Sequence, residues 1–473
     1  MNLKPYIINS TKNISLPIGT ILAVQKYSAK LNLASIFCKF KKKGIPIDKL
    51  IEALLSYKLT QNLSISKASE WINREGILKE FDLKSFEQRT LFRVLEIIGD
   101  NYEKVILDLQ DNLISIYKFE HTDINMDWSS LILWGTKAPL GAYGYSRDHR
   151  PDKKQIMFGI AELANPINIP IGLTIQKGNM NDQEHFKKTF EQVQNIVRKN
   201  SLITFDKGGN SKTNLALVEA SKMKYLSAKK LNKSTDKWIE DFDMITSELV
   251  SLDQEIYGVK YEFPNRNDYL YFSKPLYFEQ IESRFRKINR QLNEAQELQI
   301  SIEKNHKMPK KFQINNPLID IQYEYQTRLK ELDEKQAKSL LKNKIFNGRE
   351  GFFMLTSSEN LTLHEALRIY RKKDSVEKIM HSLKNEIEIK PLRVWSDKSI
   401  YGAILIGYIA QLIISLIRYD HEELKKTSTK FIKISLSNLT VTLEKIKNLR
   451  KRRIYSNFDW INELILLKRQ GIG

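Results

Sequence analysis

The stretch Tyr370 to Lys384, reading YRKKDSVEKIMHSLK, combines a phenol, several cations and a carboxylate at helical spacing. At about 100° per residue, Tyr370, Lys373, Glu377 and Lys384 fall within an arc of roughly 60°. Beside them Val376, Ile379, Met380, Leu383 and Ile387 form an apolar stripe that would seat the helix on a core. A carboxylate flanked by cations suits metal-dependent phosphate chemistry: the carboxylate holds the ion and the cations hold a nucleic-acid backbone. An exposed helix laced with ion pairs three and four residues apart would carry the same residues. Two isolated aspartates shift the balance. Asp127 follows Ile124, Asn125 and Met126, and Asp206 ends the apolar run Leu202 to Phe205 just before Lys207, Gly208 and Gly209. Both are expected at strand ends, where a lone aspartate ordinarily serves a turn or a helix cap. Carboxylates from two strand ends and one helix can instead converge on hard cations, because Mg²⁺ prefers a few carboxylate oxygens together with water and phosphate.

The elements that must position these groups can be read from periodicity. Short apolar runs bounded by Gly, Pro and Asn predict strands at Ile156 to Ala161, Ile169 to Ile175 and Ser201 to Phe205, with helices at Asp182 to Arg198 and Ser211 to Met223. Strand and helix alternate as in a mixed α/β sheet. Before them, residues 1–120 read as a helical N-terminal domain, with Leu50, Ile51, Leu54 and Leu55 at helical spacing and a basic cluster at Lys39 to Lys43 open to DNA contact. Residues 121–230 form the first part of the core and 231–347 an insertion. Within the insertion, strands are expected at Glu255 to Phe263 and Tyr269 to Phe278, and Phe278, Ile281, Phe285, Ile288, Leu292 and Ala295 mark a long amphipathic helix. The core resumes over 348–420 with a strand at Gly351 to Thr356 and a helix from Leu363, opened by the capping-box spacing Thr362 to Glu365. The last region, 421–473, reads as basic and helical. From Leu424 to Arg453 it holds ten basic residues and one acidic, ending in Arg450, Lys451, Arg452 and Arg453, a density that favours phosphate contact.

Composition bounds the function classes. The chain has 473 residues, 41% of them hydrophobic, which supports at least one large core and excludes a disordered polymer. A net charge of +20 favours a polyanionic partner, nucleic acid first. The single cysteine, Cys38, rules out an internal disulfide framework and a cysteine-based zinc site, and is expected to be a small buried side chain in a cytoplasmic protein. No secretory signal opens the sequence. Ile400 to Ile417 is uncharged and just long enough to span a bilayer, but Gln411, Ser415 and two glycines interrupt it, so a buried helix is expected and no membrane partner.

The spacing Tyr370, two residues, Lys373, three, Glu377, six, Lys384 resembles the Y-(2)-R-(3)-E-(6)-K signature of one branch of prokaryotic insertion-sequence DDE transposases. MDWSSLILWG around Asp127 and GYSRDHRPDKKQIMFGIAE at Gly144 to Glu162 resemble the first-aspartate region of that branch. PIGLTIQKGNMND at Pro170 to Asp182 and FDKGGN at Phe205 to Asn210 do likewise, the latter resembling its second-aspartate motif. The resemblance covers roughly residues 120 to 420. Lys373 departs from it by standing where the family usually has Arg, which keeps the charge and loses the bidentate fork; Arg371 is a possible substitute. The resemblance implies an α/β fold: an RNase H-like catalytic core with a mixed α/β insertion, plus the helical N-terminal domain and C-terminal region. It implies that Asp127, Asp206 and Glu377 hold two Mg²⁺ ions, replaceable by Mn²⁺, and that Tyr370, Lys373 and Lys384 grip phosphates. The expected partners are the terminal inverted repeats of a mobile element and target DNA, met by a homodimer in the nucleoid. The expected activity is cleavage at the element's ends followed by strand transfer. An RNase H-like nuclease without strand transfer, or a transposase-derived DNA-binding protein, would share most of these residues. Trp238, in the insertion, is expected to pack in a core, with stacking on a displaced base as the other reading.

Overall fold

The computed structural model describes residues 14–467 apart from 61–63, 120–122, 136, 167, 305–315, 323–325, 331 and 446–450. The chain divides into two compact units, Met1–Tyr225 with Arg371–Gly473, and Leu226–Tyr370. In the first unit a short strand, β1 (Ile14–Pro17), leads into helices α1 (Gly19–Lys30), α2 (Leu33–Phe37), α3 (Ile47–Thr60), α4 (Ile65–Ile72), α5 (Glu75–Glu80), α6 (Gln88–Asp100) and α7 (Tyr102–Tyr117). There follow β2 (Ile124–Ile132), β3 (Gln155–Leu163), β4 (Ile169–Lys177), α8 (Asp182–Val193), β5 (Leu202–Phe205) and α9 (Lys212–Ala220).

The chain passes through β6 (Lys224–Lys229) into the second unit: α10 (Lys233–Glu240), β7 (Glu248–Ser251), β8 (Ile256–Phe263), β9 (Arg266–Ser273), α11 (Lys274–Glu303), β10 (Ile319–Gln322), β11 (Gln326–Leu329), α12 (Glu334–Ile345), β12 (Phe352–Ser357) and α13 (Leu363–Lys372). It then returns to the first unit with α14 (Asp374–Asn385), α15 (Asp397–Asp420), α16 (Thr429–Asn438), β13 (Thr440–Lys445), β14 (Lys451–Ser456) and α17 (Trp460–Leu466).

In the first unit β2, β3 and β4 form an antiparallel meander and β5 lies parallel to β2 on its other side. β2 and β3 are buried almost throughout on both faces, as a strand covered by helices on both sides must be. α14 packs on β2 and β3, while α7, α8 and α15 pack on β4. The helix with the composition of a membrane span, α15, is this unit's central helix, and 89% of its most apolar window is buried inside the protein. The N-terminal helices share one hydrophobic core with α15 and the strands. In the basic cluster expected to face DNA, Lys39 pairs with Asp108 of α7 at 2.8 Å and Lys41 donates to the Ile45 carbonyl at 2.7 Å.

Three expectations change. Cys38 is exposed, because it lies in a single 3₁₀ turn whose residues all stay off the core. The C-terminal region is helical only in part: β13 and β14 form a hairpin that β1 extends to three strands. Thr440, Val441 and Thr442 are β-branched, and the burial of Val441 alone among them suits a period of two rather than 3.6. The strand expected over Tyr269 to Phe278 stops at Ser273, since Lys274 and Pro275 start α11, and proline is well placed in a helix's first turn.

In the second unit β6, β12, β9, β8 and β7 are antiparallel neighbours in that order. The expected insertion, 231–347, falls inside this unit. Ile288 of α11 packs with Leu341 and Ile345 of α12, and Leu292 and Ala295 lie against them. Phe278 and Phe285, from the same apolar stripe, are exposed. The capping box forms, with Glu365 N–H donating to Thr362 Oγ1 at 3.2 Å and Thr362 N–H to Glu365 Oε2 at 2.9 Å.

Where α6 crosses α15, glycines let two backbones touch. A Cβ on Gly402 would run into the Leu95 carbonyl, and one on Gly99 into that of Lys398. Neither obstacle is a side chain that could rotate away. Gly402→Ala should therefore destabilise the protein by about 1–3 kcal/mol through overpacking. Unchanged chemical denaturation of that variant would show that the two helices do not meet in this way.

Candidate active site

The register of two parallel strands brings the aspartates together. Met126 lies opposite Phe205, so Asp127 and Asp206 are the next residues on neighbouring strands, which run about 4.8 Å apart. Asp206 follows the last residue of β5 as expected. Asp127 does not end its strand: β2 continues to Ile132 and pairs with β3 along its whole length, because Trp128, Ser130 and Leu131 are buried too. What ends at Asp127 is the parallel pairing. Trp128 anchors this strand, fully buried and donating from Nε1 to Thr189 of α8 at 2.9 Å.

The third carboxylate comes from α14, seated by the expected stripe of Val376, Ile379, Met380, Leu383 and Ile387, all buried. The single helix expected through Tyr370 to Lys384 is broken at Lys373. Val376 N–H donates to the Lys373 carbonyl, three residues back, at 3.0 Å. The Lys372 carbonyl that it would otherwise have met accepts instead from the Ser375 hydroxyl at 2.7 Å. Tyr370, on α13, falls in the second unit, while Lys373, Glu377 and Lys384 belong to the first.

Lys373 is the centre of the arrangement. Its ammonium donates to Glu377 Oε1 at 3.1 Å and stands 4.0 Å from Asp127 Oδ2. The lysine side chain is 4% exposed, that of Asp127 9% and that of Glu377 58%, so the pair with Asp127 is shielded from water and Glu377 reaches in from the surface. Burial works against the Lys373 charge, but the fields of Asp127, Glu377 and Asp206 outweigh it and raise its pKa. Burial also raises the Asp127 carboxyl, against the pull of Lys373 and Arg147. Asp127 Oδ1 accepts from Trp128 N–H, and Asp206 Oδ1 from Lys207 N–H, each at 2.8 Å.

Several polar residues that the motif left without a role complete the surroundings. Arg147 bonds Asp182 at 2.7 Å, donates to the Trp128 carbonyl and lies 3.8 Å from Asp127. Lys384, expected to face DNA, is buried and donates to Ser129 Oγ at 2.8 Å. Burial lowers its pKa to about 8, against the nearby Asp148, 3.8 Å away. Lys390 approaches the same Asp148 at 3.7 Å. Arg147, Asp148 and Asp182 all stand in the GYSRDH and GNMND runs, which was the available signal. Of the basic C-terminal run, Lys451, Arg452 and Arg453 lie on β14 opposite Lys445, Glu444 and Leu443, and Arg450 falls outside the described residues. Trp238 stacks on Tyr261 at 4.2 Å between ring centroids.

Three carboxylates are the right donors for a hard divalent ion. Among the described residues, however, no three His, Cys, Asp or Glu side chains lie close enough to form a finished metal cluster. The Lys373 ammonium stands beside Asp127 and Glu377 and offsets part of their negative charge. The donor chemistry fits a divalent cation, with Asp127, Asp206 and Glu377 as the groups that would hold it.

Beneath this centre Glu162 is fully buried on β3, accepting from Asn125 of β2 at 2.9 Å and sharing the single Ser375 hydroxyl proton, at the start of α14, with the Lys372 carbonyl. Burial pushes its pKa up to about 7, against those two hydrogen bonds.

No protein-family model matches the chain, and no curated protein matches it. Among solved structures, a piggyBac transposase synaptic complex with hairpin DNA, determined by cryo-EM, aligns at a TM-score of 0.43 with 12% identity, over 91% of this chain and 81% of that one.

Glu162 gives this site a pH test. In the unfolded chain it ionises near its ordinary 4.5, whereas the folded protein keeps it protonated to about 7. The folded-state pKa is raised, so this contribution to stability is complete below 4.5 and is lost as pH rises to about 7. Glu162→Gln, whose amide oxygen can accept both hydrogen bonds, should escape that loss. In denaturation series its stability relative to wild type should rise across this window and level off above it; a difference independent of pH would contradict a buried neutral acid.

Proposed function

We propose that the chain is a DDE transposase, cleaving DNA at the ends of a mobile element and joining those ends to target DNA in a divalent-metal-dependent reaction. What supports this reading above all is one buried ammonium, Lys373, that lies within 4.0 Å of Asp127 and Glu377 and in the field of Asp206. Carboxylates that face a common centre repel one another unless a cation stands among them. The motif similarity around all three supports it independently, as does the net charge of +20. We take the first unit to be an RNase H-like core and the second to carry the insertion.

In this reading Asp127, Asp206 and Glu377 hold Mg²⁺ or Mn²⁺, which when bound activates a water or DNA 3′-hydroxyl and stabilises the leaving oxygen. The protein's own part is positional. β2 and β5 fix the two aspartates by register, and the Ser375–Glu162 tie fixes the start of α14 and hence the approach of Glu377. Lys373 offsets part of the carboxylates' charge before substrate arrives, and its flexible stem lets the ammonium turn toward a phosphate oxygen. Lys384, beside Ser129, adds positive field on the same face of α14. No residue needs to become covalently attached to DNA.

Glu377→Gln keeps the shape of the side chain and removes its charge. That variant should fold and bind DNA carrying the element's ends as wild type does, yet lose Mg²⁺- or Mn²⁺-dependent cleavage by orders of magnitude; cleavage at the wild-type rate would remove Glu377 from the reaction. A nuclease would cleave without joining ends, and a DNA-binding derivative would do neither. Replacing Arg450, Lys451, Arg452 and Arg453 together by alanine should weaken DNA binding while cleavage persists at high protein concentration. Loss of cleavage with binding intact would reverse that assignment.

A further inference from the structure

On the flank of α14 away from Glu377, the first unit holds a cavity of about 590 Å³. Asp374, Ser375, Lys378 and Ser382 line it from α14, Gln411 and Arg418 from α15, and residues 425–429 from the approach to α16. At about 100° per residue, the α14 residues on this cavity centre roughly 130° round the helix from Glu377 and Lys384. A ligand there would be separate from the carboxylate centre.

The lining is strongly positive. Arg371, Lys372, Lys378, Arg418, Lys425 and Lys426 face two acidic residues, Asp374 and Glu386. Lys378 is paired with Asp374 at 2.6 Å and Lys425 with Glu422 at 2.9 Å. Lys372, Lys426 and Arg418 make no ion pair among the described residues.

Arg418 is the informative one. Its guanidinium is half-buried and aimed by neutral partners, donating from Nε to the Thr427 carbonyl at 2.9 Å and from Nη2 to Thr429 Oγ1 at 2.8 Å. Thr429 Oγ1 is itself fixed by Ser382 at 2.8 Å, and Ser382 donates to Gln411 at 2.7 Å. Burial disfavours the Arg418 charge and the field of Glu386, on the same cavity, favours it, without a direct ion pair between the two. The N-terminus of α16, capped by Ser428, opens on the same cavity and adds the positive end of a ten-residue helix.

We propose that this cavity holds phosphodiester groups of a nucleic-acid backbone, as a second phosphate site apart from the carboxylate centre. The choice of nucleic acid rests on the reading of the chain as a DNA-processing enzyme. The observation that favours a chain of phosphates over one isolated anion is the exposure of Lys372, Lys425 and Lys426, which carries the positive field from the cavity out onto the surface.

The test uses the full chain and a fluorescent DNA duplex, with affinity measured across a salt series without divalent metal. The Lys372→Gln/Lys426→Gln variant, altered only at exposed positions, should melt at the wild-type temperature and bind at least about tenfold more weakly at low salt. Its log-affinity against log-salt slope should be shallower by about 0.9 for each phosphate that the variant no longer neutralises. Arg418→Gln, if it folds, should show the same change. A slope and affinity equal to wild type in the double variant would overturn the proposal. So would a case in which inorganic tripolyphosphate raises the melting temperature of wild type but not of the double variant while duplex binding is identical, because the site would then serve a small anion. Since no metal is present, loss of cleavage in Glu377→Gln and loss of binding here are read separately, and either reading can fail while the other stands.

Discussion

The site depends on a buried ammonium. Removing Lys373 from water is unfavourable by itself, and bringing Asp127, Asp206 and Glu377 toward one another is unfavourable as well. Each problem offsets the other: the carboxylates supply the field that keeps the lysine charged, and the lysine offsets part of their mutual repulsion. The break between α13 and α14 falls at this residue, and the Ser375 hydroxyl caps the carbonyl that the break would leave open. Asp127 and Asp206 need no such device, because the register of β2 and β5 brings them level.

Behind the site lies a dense platform. α15 is buried along nearly its whole apolar length, and α6 can approach it only because Gly99 and Gly402 lack side chains. Covered on both sides, β2 and β3 can hold polar groups below the surface, provided those groups have partners: Asn125 and Ser375 for Glu162, Ser129 for Lys384. Polar interactions this deep are stronger than in water and costly to leave unmade. They therefore link the sheet to α14 more firmly than apolar packing alone.

α14 consequently has two chemically different flanks. One carries Glu377 and Lys384 toward the aspartates. The other turns Ser375, Lys378 and Ser382 toward a cavity whose remaining walls come from α15 and the approach to α16. A single amphipathic helix can serve both because its buried stripe covers only part of its circumference.

Local chemistry in the sequence was enough for the order of strands and helices around the three carboxylates, the apolar stripe that seats α14, the capping box at Thr362 and the burial of α15. Each rests on periodicity or on neighbours a few residues apart, and those are visible in one dimension. Asp127, Asp206 and Glu377 could be read from the sequence as candidates, because their types and flanking motifs are local. Sequence could not show that Lys373 would enter the carboxylate cluster or that Lys384 would turn to Ser129. Nor could it show that Arg147 would bridge toward both Asp127 and Asp182. The hairpin in the basic C-terminal region was equally hidden, since β13 is held by β1 from the other end of the chain. The position of Asp127 within β2, rather than at its end, was decided by a strand partner about thirty residues away. Such pairings are set by which surfaces meet, and a buried charge is placed by the balance of desolvation and field from residues far apart in sequence. That balance exists only once the chain has folded.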